Sequence, residues 1–257
     1  MLPFDRRTGG YIVNQRITEE KYRVRYYELT RDWKASISSV IDYFNDVVTL
    51  QSVEVGDGVE AMRFSGFAWL LLRWEVDIYR LPDFMENLVV RTIPYSMNKF
   101  YAYRTFEAVD ESGKLLVHAR SQWILADIHK RRPVRIGSRH YDVYGLSRDS
   151  NNELSFENLI EPERVDIRAD LTVRRSDLDT NGHTNNVSYI RWIMQTIPNS
   201  YDESTLAKFC INYKHESMEG DLINIDSYFE SSSASNNGYH RVSSSGKTLV
   251  IAKTTWR

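Results

Sequence analysis

Part of the chain is repeated, and this repeat constrains the fold more than any other sequence feature. Residues 112–123 (SGKLLVHARSQW) and 245–256 (SGKTLVIAKTTW) both begin with Ser-Gly-Lys and end with Trp at the same offset. Upstream of them, residues 86–90 (ENLVV) and 220–224 (GDLIN) match at nearly the same spacing. Two matches in register indicate two copies of one structural unit, because duplicated units keep the spacing of their elements.

Each half also follows the same order of predicted elements: one strand, one amphipathic helix and four further strands. Apolar residues at helical spacing predict helices near residues 36–51 and 186–197. Alternating or β-branched and aromatic runs predict strands at residues 22–27, 68–79, 87–94, 100–109 and 114–125, then at 169–174, 209–215, 222–230, 238–243 and 248–256.

This order of elements predicts an α+β fold. Because a helix with a single apolar stripe must bury that stripe, the simplest packing wraps each sheet around its helix and joins the two sheets edge to edge. We expect one unit at residues 1–128 and another at residues 161–257. The linker between them, residues 129–160, is basic at first and then mostly polar.

Composition and charge exclude several classes of protein. The length of 257 residues permits one large domain or two small ones. A net charge of −2 gives no indication of nucleic-acid binding. We see no apolar run long enough to span a bilayer and no signal peptide, so we expect a cytoplasmic location.

Disulfides, metals and cofactors are not expected either. Cys210 is the only cysteine, which excludes a disulfide within the chain and argues against a thiolate zinc site. The histidines show no metal-ligand spacing with carboxylates, and the glycines form no phosphate-binding loop.

The densest polar cluster is residues 177–186 (DLDTNGHTNN), between a predicted strand and a predicted helix. Helix capping and a turn at Gly182 explain one or two of these residues. The equivalent stretch of the first half, near residues 30–36, enters its helix without a His-Asn cluster. The fold therefore does not require the cluster, and we assign it to function.

This cluster, with Tyr189, Ile190 and Trp192 after it, resembles the signature of the acyl-acyl carrier protein (acyl-ACP) thioesterases of plastids and bacteria. The resemblance extends to residues 22–28 (YRVRYYE), 69–70 (WL) and 213–216 (YKHE), and so covers nearly the whole chain. It implies a double hotdog: two tandem units, each an antiparallel sheet wrapped around a long helix. The first unit would bind the acyl chain, and the second would hydrolyse the thioester to release a free fatty acid.

The resemblance also implies the site residues. The catalytic residues carried over by motif match are Asp179, Asn181, His183 and Glu216. Ser217 and Asn185 are candidate supporting residues. Because plant members often have Cys at the position of Ser217, a nucleophilic cysteine cannot act there in this chain. A serine nucleophile is disfavoured too, because no Gly-x-Ser-x-Gly elbow surrounds Ser217.

Thioester hydrolysis also follows from the chemistry of these side chains. A carboxylate beside an imidazole can activate water as a general base, so Glu216 and His183 form the natural pair. Asn181 can orient water or polarise the carbonyl, and Asp179 can fix the histidine tautomer. Backbone N–H groups at residues 184–186 can bind the oxyanion. Attack by a carboxylate through an anhydride uses the same residues and stays open.

Two basic stretches are candidate docks for the acidic carrier protein. They are residues 129–135 (HKRRPVR), with Arg131, Arg132 and Arg135, and the pair Arg174 and Arg175. A solvated surface is the ordinary interpretation of such runs.

Two alternative functions stay open. An acyl-CoA thioesterase would use the same site with another docking surface. A non-catalytic acyl-binding protein is disfavoured by the joint presence of the four catalytic candidates. Acyl-chain length, saturation preference and oligomeric state, a homodimer included, cannot be predicted from the sequence.

Overall fold

The computed structural model describes residues 4–5, 10–11, 15–149, 152–232 and 235–257. The α-helices in these ranges are α1 (Ile37–Glu54), α2 (Val59–Ser65), α3 (Ser138–Tyr144) and α4 (Asn186–Met194). The strands are β1 (Phe4–Asp5), β2 (Gly10–Tyr11), β3 (Thr18–Arg23), β4 (Phe67–Ile78), β5 (Asn87–Met97), β6 (Tyr101–Asp110), β7 (Leu115–Asp127), β8 (Arg132–Pro133), β9 (Ile167–Thr172), β10 (Leu206–Tyr213), β11 (Leu222–Ser231), β12 (Asn236–Ser244) and β13 (Lys247–Trp256). Short 3-10 turns lie at Tyr26–Glu28, Arg175–Asp177 and Glu203–Thr205.

One continuous antiparallel sheet runs through both halves of the chain. Its strand order is β3-β5-β6-β7-β4-β10-β13-β12-β11-β9, with β8 paired to the end of β7. Numbered within its own half, each set of five strands has the order first, third, fourth, fifth, second. The halves join at β4 and β10, where Lys208 lies opposite Asp77 and Asn212 opposite Arg73. The predicted α+β class and edge-to-edge joining of two sheets are confirmed.

The repeated sequences lie at equivalent places in the two halves. Residues 112–123 lead into and along β7, and residues 245–256 lead into and along β13; these are the fifth strands of their halves. The second pair of matching segments marks the starts of β5 at Asn87 and β11 at Leu222. The internal repeat therefore predicts the register of the duplication correctly.

The core lies between the sheet and the two main helices. On α1, Ile37, Ile41 and Phe44 are fully buried, as an apolar stripe at helical spacing requires. The Phe44 ring packs against Trp74 and Phe106, with centroid distances of 6.1 and 5.2 Å. Burial of each such side chain contributes about 1.5–3 kcal/mol, so this face holds the helix on the sheet.

The helices α1 and α4 also contact each other across the two halves. Arg191 donates to Asp42 at 2.7 Å, and Asn45 Nδ2 lies 3.4 Å from Asn186 Oδ1. The start of α4 is therefore tied to the middle of α1.

Two predicted elements end at different residues from those expected. The first strand was expected at residues 22–27, but β3 ends at Arg23 and residues 26–28 form a 3-10 turn. The Glu28 carboxylate closes this turn by accepting from the Arg25 N–H at 2.5 Å. Helix α4 ends at Met194, short of the predicted end at Ile197, because Pro198 disfavours helical backbone just before it.

The stretch predicted as a polar linker contains structure that the sequence pattern did not predict. Helix α3 places Tyr141 and Tyr144 in a small second core with Val55 and Met62.

Further along, residues 155–157, here called the strap, cross the join between the two halves. The Glu157 N–H donates to Glu75 Oε2 at 3.0 Å, and its carboxylate accepts from Lys253 Nζ at 2.6 Å.

No helix in the described ranges is both long and apolar enough to cross a membrane.

Candidate active site

Two loops with the same hydrogen-bonded frame lead into the main helices. In the second-half loop, residues 174–185, the Asn185 N–H donates to Asp177 O at 2.8 Å. In the first-half loop, residues 25–36, the Ser36 N–H donates to Glu28 O at 2.9 Å. Asn185 and Ser36 then cap α4 and α1 through their side-chain oxygens. The frame is thus a property of the duplicated fold, and the side chains that it displays differ between the halves.

Asp179 shapes the second-half loop. Its Oδ1 accepts from the backbone N–H groups of Asn181 at 2.8 Å and His183 at 3.1 Å. The Asp179 N–H donates to His183 O at 2.7 Å, and Gly182 has φ 79°, a left-handed backbone that suits glycine. The carboxylate of Asp179 therefore acts on the backbone that presents His183. Its hydrogen bonds go to this backbone and, at 3.5 Å, to the Asn181 side-chain amide, and none goes to the imidazole ring whose tautomer it was expected to fix.

His183 faces Glu216 across the mouth of the site. His183 Nε2 lies 3.7 Å from Glu216 Oε2, and the two side chains are 36% and 48% exposed. Glu216 follows β10, and the backbone N–H groups of Lys214 and His215 both bond to Leu249 O, at 2.8 and 3.2 Å. A water molecule from solvent can thus reach a carboxylate held beside an imidazole, the geometry of a general base.

Ser217 lies behind this pair and not in it. It is fully buried, and its Oγ lies 2.7 Å from Thr184 Oγ1 and 2.8 Å from Tyr189 Oη. Burial raises the pKa of Tyr189, so this phenol stays protonated near neutral pH. A side chain with no path to solvent cannot attack a bound carbonyl, so the position of Ser217 agrees with a supporting role.

The predicted oxyanion donors reduce to one. The N–H groups of Thr184 and Asn185 bond to Ser217 O and Asp177 O, at 3.0 and 2.8 Å. Within the described part of the chain, the Asn186 N–H in the first turn of α4 has no hydrogen-bond partner. Helix N-termini favour anions, so this N–H is the remaining candidate for the oxyanion donor.

The first half uses the same position differently. There the equivalent N–H belongs to Ile37, at the start of α1, and it faces the carboxylate of Glu203. A carboxylate bound at this position in one half supports an anion at the equivalent position in the other.

The first-half loop also lacks a His–Glu pair at the equivalent positions. Lys34 forms an isolated β-bridge with Asp83, and His183 forms the equivalent β-bridge with Met218. Lys34 therefore occupies the first-half position that corresponds to His183. Two residues before Asp83 is Leu81, at the position of Glu216. Among the described residues, only the second half carries both an imidazole and a carboxylate at these positions.

The predicted docking arginines all lie on the surface. Arg131, Arg132 and Arg135 are exposed in and after the β7–β8 turn, and Arg174 and Arg175 are exposed at the start of the second-half loop.

The β7–β8 turn and Glu216 lie at the same end of the sheet. Asp127, at the end of β7, pairs with Phe67 at the start of β4, and β10 runs antiparallel to β4 toward that end.

Other basic residues near the site were missed by sequence reasoning. Lys214 and Lys247 flank His215, and after burial they are the causes that lower the pKa of that imidazole. They are dispersed along the chain, so no local run of charge indicates them.

Cys210 does not belong to the site. It is buried in β10, and burial raises the pKa of its thiol to about 12. In the described ranges, no three His, Cys, Asp or Glu side chains are arranged to hold a metal ion.

Fold and site together define a double hotdog protein with a single His–Glu site. The acyl-ACP thioesterase N-terminal domain profile matches residues 15–144, and the corresponding C-terminal domain profile matches residues 160–257. The chain belongs to the acyl-ACP thioesterase family.

Known proteins agree with this assignment. The oleoyl-acyl carrier protein thioesterase 2 of Arabidopsis thaliana is 26% identical over 241 residues, which cover 86% of this chain. The chain spans only 65% of the length of that relative.

Two solved structures share the fold. One from Lactobacillus plantarum, provisionally described as an oleoyl thioesterase, has a TM-score of 0.89 at 24% identity, covering 95% of this chain and 97% of that one. The 12:0-ACP thioesterase of Umbellularia californica has a TM-score of 0.78 at 22% identity, covering 94% of this chain and 97% of that one.

Proposed function

We propose that this protein is a hydrolase that cleaves the thioester of fatty acyl-ACP and releases a free fatty acid. The observation that carries the proposal is the His183–Glu216 pair, 3.7 Å apart and open to solvent, beside a helix start with a free N–H. Family membership supplies the substrate class.

The chemistry requires few groups, because a thiolate leaves readily. Glu216 removes a proton from water, and the water oxygen bonds to the carbonyl carbon while the carbonyl electrons move to its oxygen. The Asn186 N–H stabilises that oxyanion. When the intermediate collapses, the C–S bond breaks, and the proton that Glu216 took from water goes to the thiolate, directly or relayed through His183. Asn181, at the exposed tip of the loop, orients the water or the carbonyl.

A nucleophilic role for Glu216 is the alternative within this mechanism. The carboxylate would form a mixed anhydride and release the thiol, and water would then cleave the anhydride. Turnover in ¹⁸O-labelled water distinguishes the two, because only the anhydride route can place the label in the Glu216 carboxylate.

The catalytic assignment predicts losses in rate with the fold retained. Loss of a general base costs on the order of 10²–10⁴ in rate, and we expect Glu216→Gln and His183→Ala to fall in that range. Ser217→Ala should cost far less. The measurement is kcat for thiol release from one acyl-ACP, with Glu219→Gln, a nearby exposed carboxylate, as the matched control. An active Glu216→Gln beside an inactive Ser217→Ala would refute this scheme.

The preference for a carrier protein depends on surface charge. We expect Arg131, Arg132 and Arg135 to meet the acidic carrier, because they are exposed at the active-site end of the sheet. Arg174 and Arg175 form a second candidate contact beside the loop.

Replacing Arg131, Arg132 and Arg135 together by Ala should raise the KM for acyl-ACP, and more at low salt, because salt screens surface charge. The KM for small, uncharged thioesters should not change. Arg164→Ala is the control, since Arg164 is exposed, lies over the Tyr228 ring and belongs to neither basic stretch. An equal effect on acyl-ACP and on small thioesters, or no effect on either, would count against docking at this stretch.

Three further expectations belong to the same proposal. The acyl chain would lie in the first unit, residues 1–128, with residues 129–160 as linker and catalysis in residues 161–257. A cytoplasmic location stays a prediction, and a homodimer stays one of the open oligomeric states. A non-catalytic acyl-binding protein would show binding without thiol release in the same assay.

A further inference from the structure

Three buried hydroxyl groups, here called the hydroxyl cluster, lie directly behind the catalytic pair. They belong to Thr184, Tyr189 and Ser217, whose side chains are nearly or fully inaccessible to solvent. Thr184 follows His183 in the chain, and Ser217 follows Glu216. The cluster therefore links the segment that carries His183 to the segment that carries Glu216, through the residue that follows each of them.

The directions of the hydrogen bonds follow from the number of protons. Tyr189 Oη accepts from the Ser217 N–H at 3.1 Å, and the Thr184 hydroxyl donates to Ser217 O at 3.0 Å. With these two bonds made, the Tyr189 hydroxyl can donate to Ser217 Oγ and the Ser217 hydroxyl to Thr184 Oγ1. In this arrangement every donor has an acceptor. Loss of the Tyr189 hydroxyl would leave the buried Ser217 N–H without a partner, which is costly.

The first half shows that the fold does not need this cluster. Its loop frame is the same, since the Ala35 N–H donates to Pro82 O at 2.8 Å, as Thr184 does to Ser217. The position equivalent to Tyr189, counted from the helix cap, is Val40. All three equivalents are apolar, and Ala35 and Val40 are fully buried. Hydroxyl groups replace them only in the half that carries His183 and Glu216.

We propose that Tyr189 is a positioning residue, whose hydroxyl fixes the backbone and side chain of Ser217 and thereby holds Glu216 opposite His183. The kinetic consequence rests on the proposed thioester hydrolysis, whereas the geometric consequence does not.

The kinetic test compares Tyr189→Phe with Thr196→Val. The control also removes a buried hydroxyl from the second half, one that lies 2.7 Å from Ser227 Oγ and has no bond to the Glu216 segment. A misplaced catalytic group can cost up to about 100-fold, so Tyr189→Phe should lower kcat roughly 10- to 100-fold with little change in KM. Thr196→Val should keep the wild-type kcat even if its Tm falls as much as that of Tyr189→Phe. Equal kcat losses in both variants, or none in Tyr189→Phe, overturn the proposal.

A second readout does not depend on activity. The protein is labelled with ¹⁵N-histidine, and the ring resonances of His183 are followed by NMR. The Glu216→Gln spectrum serves as the reference, because it shows how far and in which direction these resonances move when the carboxylate is lost. Tyr189→Phe should move these resonances in the same direction, and Thr196→Val should leave them in place. Unmoved His183 resonances in Tyr189→Phe overturn the positioning role. A wild-type protein that hydrolyses no thioester refutes the proposed function and leaves this measurement intact.

Discussion

One buried histidine, His240, affects the pH dependence of the free energy of unfolding. His240 lies fully buried in β12, with Nδ1 2.8 Å from Ser227 Oγ and Nε2 2.9 Å from Thr254 Oγ1. Both neighbours are neutral hydroxyls, so burial lowers the pKa of His240 to about 3. Between this pKa and the ordinary histidine pKa of about 6.5, the unfolded chain binds a proton at His240 and the folded chain does not.

We therefore expect His240 to destabilise the protein as pH falls below the unfolded pKa of about 6.5. Between about pH 7 and about pH 5.5, this one group should remove about 1 kcal/mol from the free energy of unfolding. His240→Gln should be less stable at neutral pH but should lack this part of the slope. Urea unfolding of both proteins at the two pH values measures it, and identical slopes would contradict the assignment.

Residue types were predictable at the site, whereas their roles were only partly so. The clustering of Asp179, Asn181 and His183 in one loop is visible in the sequence, because the loop is contiguous. That the Asp179 carboxylate bonds to backbone N–H groups depends on a tight turn, and no residue pattern shows the direction of a side chain in a turn. The free Asn186 N–H is equally invisible, because it is defined by the bonds that its neighbours make.

At the scale of elements, most strands were predicted to within a few residues, and β4, which lies in no hairpin, was predicted to within one residue at each end. Strands β5 to β7 and β11 to β13 agree with their predicted positions to within a few residues, because turn residues mark both ends. The first strand was displaced, because residues 22–27 have the composition of a strand while Glu28 binds the backbone of Arg25 and forces a turn.

The first-half loop shows a second limit of sequence patterns. Trp33 has φ 61° at the position where the second-half loop has Gly182. A bulky residue in this region of backbone space is strained, so propensity alone would not place it there. The ring instead packs near Phe84 and Tyr26, at centroid distances of 5.8 and 6.4 Å. The duplicated frame determines the backbone, and the local sequence adapts to it.

At the scale of the whole molecule, a charged cluster fastens the two halves together. Glu75 on β4 is almost fully buried at the join and accepts from Arg120, from Lys208 at 2.7 Å and from the strap N–H of Glu157. Its removal leaves the partly buried Arg120 without a carboxylate partner and leaves Lys208 with Glu157 alone, 3.4 Å away.

Glu75→Ala should therefore lower the free energy of unfolding by about 3 kcal/mol, at the low end for a broken buried ion pair because both cations keep some solvent contact. Asp83→Ala is the control, since Asp83 is 54% exposed and pairs with Lys34 on the surface. Exposed pairs contribute at most about 1 kcal/mol. Urea unfolding followed by fluorescence measures both, and similar losses in the two variants would contradict a special role for the join.

The continuous sheet has a further consequence for the behaviour of the chain in a crowded solution. Two separate five-stranded sheets would present four unpaired edges, whereas the pairing of β4 with β10 leaves only β3 and β9 in the described sheet. Unpaired edges invite strand addition from other molecules, and charged side chains discourage it. Strand β3 reads TEEKYR, and β9 carries Arg168 and Asp170. Fusion of the halves thus removes two sites of aggregation, and charge protects the two that remain.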